Sequence, residues 1–397
     1  MQKGGHVLSA TRSLLLILMF LVPLFFLPFT LEPLELNKQT LVLILTSAAA
    51  LCWFASMLFG REVKIRRGWV NVLPWFFVAA FLVPALSSVA PYLSWVGAHR
   101  SEYTSVLTAL AVAILFYLIV NTASERSVHK RIHVILLVSG SLAALLPLLQ
   151  LFGVDVLFSL APSLALNTVG TLSGFVTFLV ALNVFFLAAN LSHHAHDSLL
   201  YDGLVGAIQR VLSFFLLLAT IFFLLILDDF TLWALFAVSL SVLFTFVIFR
   251  AKDFPHHVRL ILPGILFLGS LAFWFVLPGL SLVSVPLEVT PNASGSLGVA
   301  QQTLATYSSS WGSGPGTYVF DYSQFHDISL NQTDFWDTRF DRASSFVLTL
   351  VPTIGVFGVT MLGLFVVLLF IRSIAQVLRP PSRELWLESF VHIAPWL

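Results

Sequence analysis

Two arginines three residues apart, Arg339 and Arg342, stand in the run Asp334-Phe335-Trp336-Asp337-Thr338-Arg339-Phe340-Asp341-Arg342. A guanidinium presents a planar fork of N–H donors that matches a phosphate or carboxylate, and an aromatic ring offers a face on which the apolar side of a sugar can stack. The pattern suits an anionic ligand, a sugar, or both. If the run is helical, the two arginines share one face. Two structural readings stay open beside it. The rings of Tyr318, Phe320, Tyr322, Phe325 and Trp336 also suit a membrane interface. The arginines also have Asp334, Asp337 and Asp341 within reach as ion-pair partners.

Just upstream, Trp311-Gly312-Ser313-Gly314-Pro315-Gly316-Thr317 forces a tight turn, in which Gly314 and Gly316 let backbone N–H groups approach an anion closely. The run lacks the Gly-Lys-Ser/Thr of a nucleotide-binding loop, so a purely structural turn is the alternative. Before it, residues 294–309 read as a short helix with Leu297, Ala300, Leu304 and Tyr307 at helical spacing. Serines cap it, and it lies on the membrane surface. Elsewhere the signals are weaker. Asp228-Asp229 reads as a helix-end pair. His193, His194 and His196 resemble a metal tract without a second cluster, and Asn292 and Asn331 begin glycan-acceptor triplets. The single cysteine, Cys52, excludes an intrachain disulfide and a cysteine-built metal site. No cofactor and no metal are expected.

These residues must be positioned by membrane helices. Of 397 residues 58% are hydrophobic and 10% charged, and the mean hydropathy is +0.95. A water-soluble globule needs far more polar surface than that. The apolar runs are continuous rather than alternating, so they read as helices rather than barrel strands. The expectation is an all-α, polytopic integral membrane bundle of about ten to eleven helices. Spans are placed near 12–29, 40–59, 69–88, 104–121, 132–152, 169–190, 209–227, 230–249, 258–278 and 344–371, with an eleventh beginning near Leu385. The first reads as a retained signal anchor, and the chain reads as interrupted at Leu397. The organisation is thus helices one to nine over 1–278, a long loop over 279–343, and helix ten with the start of the next over 344–397. Net charge is +1, with no polybasic tail, which argues against nucleic acid.

Lysine and arginine concentrate on cytoplasmic loops. With the N-terminus inside, about sixteen of the twenty basic residues fall on inner segments, while Lys38, Arg100, Arg339 and Arg342 fall outside. The long loop is then external, and loop length beyond what a connection needs usually carries function.

The glycine turn, the aromatic segment after it, and a following span containing Leu348, Gly355 and Gly358 together resemble the O-antigen ligase and O-antigen polymerase superfamily. Pro91-Tyr92-Leu93-Ser94 and Gly170-Thr171-Leu172-Ser173-Gly174 resemble further landmarks of it, so the likeness covers most of the chain. The resemblance implies a GT-C-like fold in the inner membrane. It implies an activity that takes a glycan from a polyprenyl (undecaprenyl) diphosphate on the outer face and joins it to a lipid or sugar acceptor, without metal or nucleotide sugar. Arg339, Arg342 and Arg100 would hold the diphosphate, with Gly314, Gly316 and Trp336 shaping the substrate site. The family's histidine-asparagine pair reads Ser344-Ser345 here, and its Ser-Arg-Gly-x-Trp opening reads Asp229-Phe230-Thr231-Leu232-Trp233. Asp341 is the nearest carboxylate to the replaced histidine and the candidate base, with His326 a lesser one. Two other functions stand beside transfer: a non-catalytic envelope scaffold that binds glycan, and a small-solute transporter. The spans hold mainly Ser, Thr and Asn at depth, which weighs against the transporter.

Overall fold

The computed structural model describes residues 2–30, 32–60, 65, 68–97, 102–123, 125–154, 167–191, 201, 203–249, 257–275 and 289–378. Among these, every regular element is helical. The helices are α1 (Gln2–Leu21), α2 (Glu35–Gly60), α3 (Leu73–Leu86), α4 (Pro91–Val96), α5 (Val106–Thr122), α6 (Arg126–Leu151) and α7 (Leu172–Leu191). There follow α8 (Gly203–Leu227), α9 (Phe230–Phe249), α10 (Ile261–Phe275), α11 (Ala293–Thr306), α12 (Tyr318–Phe325) and α13 (Phe346–Leu378).

Each of the ten expected spans overlaps a helix, but the first, expected over 12–29, is displaced: its helix runs Gln2–Leu21 and residues 22–29 are turn and coil. Among the described residues eight helices are long and apolar enough to cross a membrane, and Gly5–Leu21 and Val106–Thr122 are shorter apolar helices. The protein is therefore an integral membrane helical protein. Surface composition agrees, because α2 leaves Ile44, Leu51, Phe54 and Leu58 exposed, side chains that lipid solvates and water does not. The run from Leu385, the histidine tract and Arg100 lie outside the described residues.

The chain divides into two compact units. In the second, comprising Met19–Pro28, Glu125–Glu288 and Phe370–Leu397, α6 to α9 bury a core that includes Leu137, Phe175, Leu179, Leu216, Phe223 and Phe236. Asn183 is buried in that core. Its side-chain amide donates to the Leu179 and Leu216 carbonyls at 2.9 and 3.2 Å and to Thr220 Oγ1 at 2.5 Å. Such pairing is what makes a polar group tolerable there. Asp229 behaves as a helix-end acid: its carboxylate accepts from the Thr231 N–H at 2.8 Å at the start of α9.

The first unit comprises Met1–Leu18, Phe29–Ser124 and Val289–Leu369. It packs α3, α5 and α13 around Phe81, Val106, Ala109, Leu350 and Ile354. Above all it contains the glycine turn, both arginines of the 334–342 run, and the elements that hold them.

Candidate functional site

The glycine turn is docked onto a break in α13. Pro352 lacks an N–H, and Gly355 leaves the helical region with φ 63° and ψ −174°, so the backbone bonds that a continuous helix would make there are lost. Residues 309–314 replace them. The N–H groups of Ser313 and Gly314 donate to the carbonyls of Pro352 and Thr353 at 3.0 and 2.8 Å. Val356 and Phe357 in turn donate to the carbonyls of Ser309 and Ser310, both at 3.0 Å. Non-helical backbone in an apolar helix is stable only where protein partners satisfy it in this way.

Glycine is required at several points of the dock. Gly312, Gly314 and Gly316 have φ of 69°, 115° and 75°, the region that only glycine enters cheaply. A Cβ on Gly314 would overlap the Ser88 side chain, and one on Gly312 would overlap the Pro352 carbonyl. The neighbour on this side is the Pro91–Ser94 segment. Ser94 Oγ donates to the Pro315 carbonyl at 2.7 Å and lies 2.7 Å from Ser88 Oγ, while the Val89 N–H donates to the Ser313 carbonyl at 2.9 Å. Three separate sequence landmarks, Pro91–Ser94, the glycine turn and the Gly355 region, thus meet at one place. The Gly314 N–H is committed to Thr353 there, so Gly314 contributes through its conformation and close packing.

Beneath the turn lies an acid that sequence reasoning misses. Asp321 is fully buried in α12, where Oδ2 accepts from Ser313 Oγ at 2.6 Å and Oδ1 has no hydrogen-bond partner. Burial pushes its carboxyl up to about 7, partly offset by the Ser313 hydrogen bond. The one available signal was position, since Asp321 stands in the first turn of the helix that the glycine turn initiates. The short helix before the turn is α11, and its cap is Asn292 rather than a serine: Asn292 Oδ1 accepts from the Gly295 N–H at 2.6 Å. Its buried face carries Ser296, Val299, Ala300 and Thr303, while Leu297 is exposed. This face is offset from the apolar one read from the sequence, because Val299 packs with Tyr318 and Tyr322 of α12 and Ser296 Oγ accepts from the Ser344 N–H.

Arg339 and Arg342 do not share a helical face. Residues 333–343 run in turns and extended backbone, with Trp336 N–H bonded to the Thr333 carbonyl and Thr338 N–H to that of Phe335, at 3.2 and 3.1 Å. Thr333 favours this outcome by accepting from the Phe335 N–H at 3.3 Å, a local bond that competes with helix formation. Phe340 points inward and packs edge-on against Tyr322, with ring centroids 5.1 Å apart. Its neighbours separate accordingly: Arg339 is exposed and Arg342 is half-buried.

Arg342 is the centre of a charge cluster. Its Nε donates to Asp341 Oδ1 at 2.9 Å and Nη2 to Oδ2 at 3.4 Å, while Nη2 lies 3.7 Å from Glu35 Oε1 at the start of α2. Burial opposes its charge, yet the hydrogen bond and charge of Asp341 hold the guanidinium pKa above its ordinary value. Ion pairing, the alternative reading for this arginine, is thus present with Asp341 as the near partner. Glu35 is the member that sequence spacing could not reveal. Arg339 makes no ion pair among the described residues; it is exposed, as are Phe335 and Trp336 a few residues before it, the latter 69% exposed.

Ser344 and Ser345 serve the start of α13. Ser345 Oγ accepts from the Leu348 N–H at 3.2 Å as a helix cap, and the Ser344 N–H donates to Ser296 Oγ at 3.0 Å. His326 places Nδ1 3.0 Å from the Tyr322 carbonyl and its ring 5.3 Å from that of Tyr322. Among the described residues no group of three or more His, Cys, Asp or Glu could hold a metal ion.

Chemically, the 334–342 run offers one exposed cation and two exposed rings, and is anchored by Phe340 and by the Arg342 pair. Compared with family models, curated proteins and solved structures, the chain matches none.

Proposed function

We propose that this protein binds a polyprenyl-diphosphate-linked glycan at the membrane surface and acts as a glycan ligase or polymerase of the O-antigen type. The observation that carries the reading is the outward presentation of Arg339 and Trp336 on a run that Phe340 and the Arg342–Asp341 pair anchor. A guanidinium and an exposed indole beside an apolar helical bundle match a ligand with an anionic bridge, a sugar and a lipid tail. Arg339 contacts the diphosphate and Trp336 stacks on the proximal sugar. In the transfer step an acceptor hydroxyl oxygen attacks the anomeric carbon. The bond from that carbon to the diphosphate oxygen breaks, polyprenyl diphosphate leaves, and the hydroxyl proton passes to a base. Asp341 can take that proton once Arg342 has turned toward the departing phosphate.

A second reading, glycan binding without transfer, is favoured by one specific feature: both carboxylate oxygens of Asp341 are engaged by Arg342. An acceptor hydroxyl must displace one of these bonds before it can reach the carboxylate. The test uses the full chain in lipid nanodiscs with polyprenyl-diphosphate oligosaccharide, measuring binding and transfer together. Binding with transfer that Asp341→Asn abolishes supports the ligase or polymerase. Binding without transfer supports the scaffold, and failure to bind removes both.

A further inference from the structure

In the second compact unit the end of α7, the first half of α8 and the start of α10 line a half-open cavity of about 460 Å³, within the roughly 300–1,000 Å³ of ligand-sized pockets. Its walls divide by chemistry. Arg210, Arg259, Asn190 and Ser213 supply the polar part, while Phe186, Leu187, Phe214 and Leu217 are among the apolar part. Among the described residues two guanidiniums line it and no carboxylate does. Arg259 Nη1 reaches the Asn190 carbonyl at 3.4 Å, tying the segment before α10 to the end of α7.

Chain direction explains why charge collects here. The C-terminal end of α7, the N-terminal part of α8 and the N-terminal end of α10 come together, so these apolar helices end where a bilayer's hydrocarbon gives way to headgroups. A cavity with cations at its polar end and aromatic and leucine side chains along its length complements an amphiphile carrying negative charge on its head. A free phosphate would meet the same arginines but would leave the apolar wall without a partner.

We propose that this cavity is a binding site for an anionic phospholipid, with the phosphate between Arg210 and Arg259 and an acyl chain along Phe186, Leu187, Phe214 and Leu217. The site is separate in residues and in compact unit from the glycan site proposed above, and does not depend on it.

The test uses the purified full chain, with lipids retained through native mass spectrometry as the readout. The probes are phosphatidylglycerol, phosphatidylcholine with the same chains, and inorganic phosphate. Phosphatidylglycerol is retained in preference to phosphatidylcholine, and millimolar phosphate does not displace it. Arg210→Gln with Arg259→Gln lowers phosphatidylglycerol retention by about fivefold per arginine, and the paired lysine variant restores much of it. Ser213→Trp, which fills the cavity without touching charge, removes retention of both lipids. Unchanged phosphatidylglycerol retention in the glutamine pair and in Ser213→Trp overturns the proposal. Full displacement by inorganic phosphate, with Ser213→Trp silent, overturns it in favour of a small-anion site. Should the glutamine pair fail to fold, the lysine pair and Ser213→Trp decide between the same outcomes.

Discussion

The Gly314 N–H donates to the Thr353 carbonyl at 2.8 Å, which joins the glycine turn to the interrupted stretch of α13. The turn therefore completes a helix, and the two depend on each other. Gly314→Ala should lower stability by about 1–3 kcal/mol from backbone strain alone, with the overlap on Ser88 adding to it. Gly298→Ala is the control, because a Cβ there meets nothing within 4 Å inside α11; it should be neutral or stabilising by about 0.5–1 kcal/mol. Thermal unfolding of both variants in detergent is the measurement, and equal behaviour would remove the strain argument.

Asp321 gives a pH dependence with a definite sign. Its folded pKa, about 7, lies above the ordinary 3.8, so the native state holds a proton that the unfolded chain releases earlier. Its contribution to stability is complete below about pH 4 and is lost as pH rises toward and through 7. Asp321→Asn should flatten this part of the stability profile while keeping the shape of the side chain. Melting temperatures of parent and variant between pH 5 and 8 test it, and parallel curves would count against a buried titrating acid.

Arg342 should behave as a stabilising residue first. Arg342→Ala leaves Asp341 and Glu35 without their shared cation and should cost about 1–3 kcal/mol, with part recovered when Asp341→Asn is added. Arg342→Lys keeps the charge but loses the fork. A double-variant cycle on unfolding measures the coupling, and purely additive effects would mean the pair is energetically idle.

Arg339 and Trp336 should show the opposite profile. Arg339→Ala should weaken binding of the polyprenyl-diphosphate glycan by about tenfold or more, matching roughly 1.5–3 kcal/mol for a charge-assisted hydrogen bond, and leave the melting temperature unchanged. Trp336→Ala should lower affinity for the glycan-bearing ligand more than for polyprenyl diphosphate alone. Unaltered affinity in the double variant would refute the glycan site.

Sidedness is testable at exposed positions. With Cys52 replaced, an impermeant thiol reagent should label Ser294→Cys in α11 and spare Ser127→Cys in α6 in intact cells; both serines are solvent-accessible. Labelling in the reverse pattern would invert the proposed topology. Ser296, although in the same loop, is buried and would mislead.

By itself the sequence determined the class of the protein, the positions of its apolar helices, and the presence of a strained turn at Gly312–Gly316. All three are local properties. Twenty consecutive apolar residues need lipid wherever they stand, and clustered glycines signal positive φ without reference to neighbours. The tertiary structure decided who partners whom. Nothing in the 334–342 run says that Phe340 will bury against Tyr322, yet that contact separates Arg339 from Arg342 and sends one to solvent and the other to Asp341 and Glu35. Nor does Gly355 announce a helix break, since glycine occurs inside many membrane helices. The break exists because residues 309–314 supply the four backbone hydrogen bonds that the helix gives up there. Asp321 likewise reads as one loop acid among several until α11, α12 and the glycine turn close over it. Backbone preference is encoded residue by residue, whereas burial, ion pairing and the satisfaction of freed backbone groups are set by which distant segments fold together.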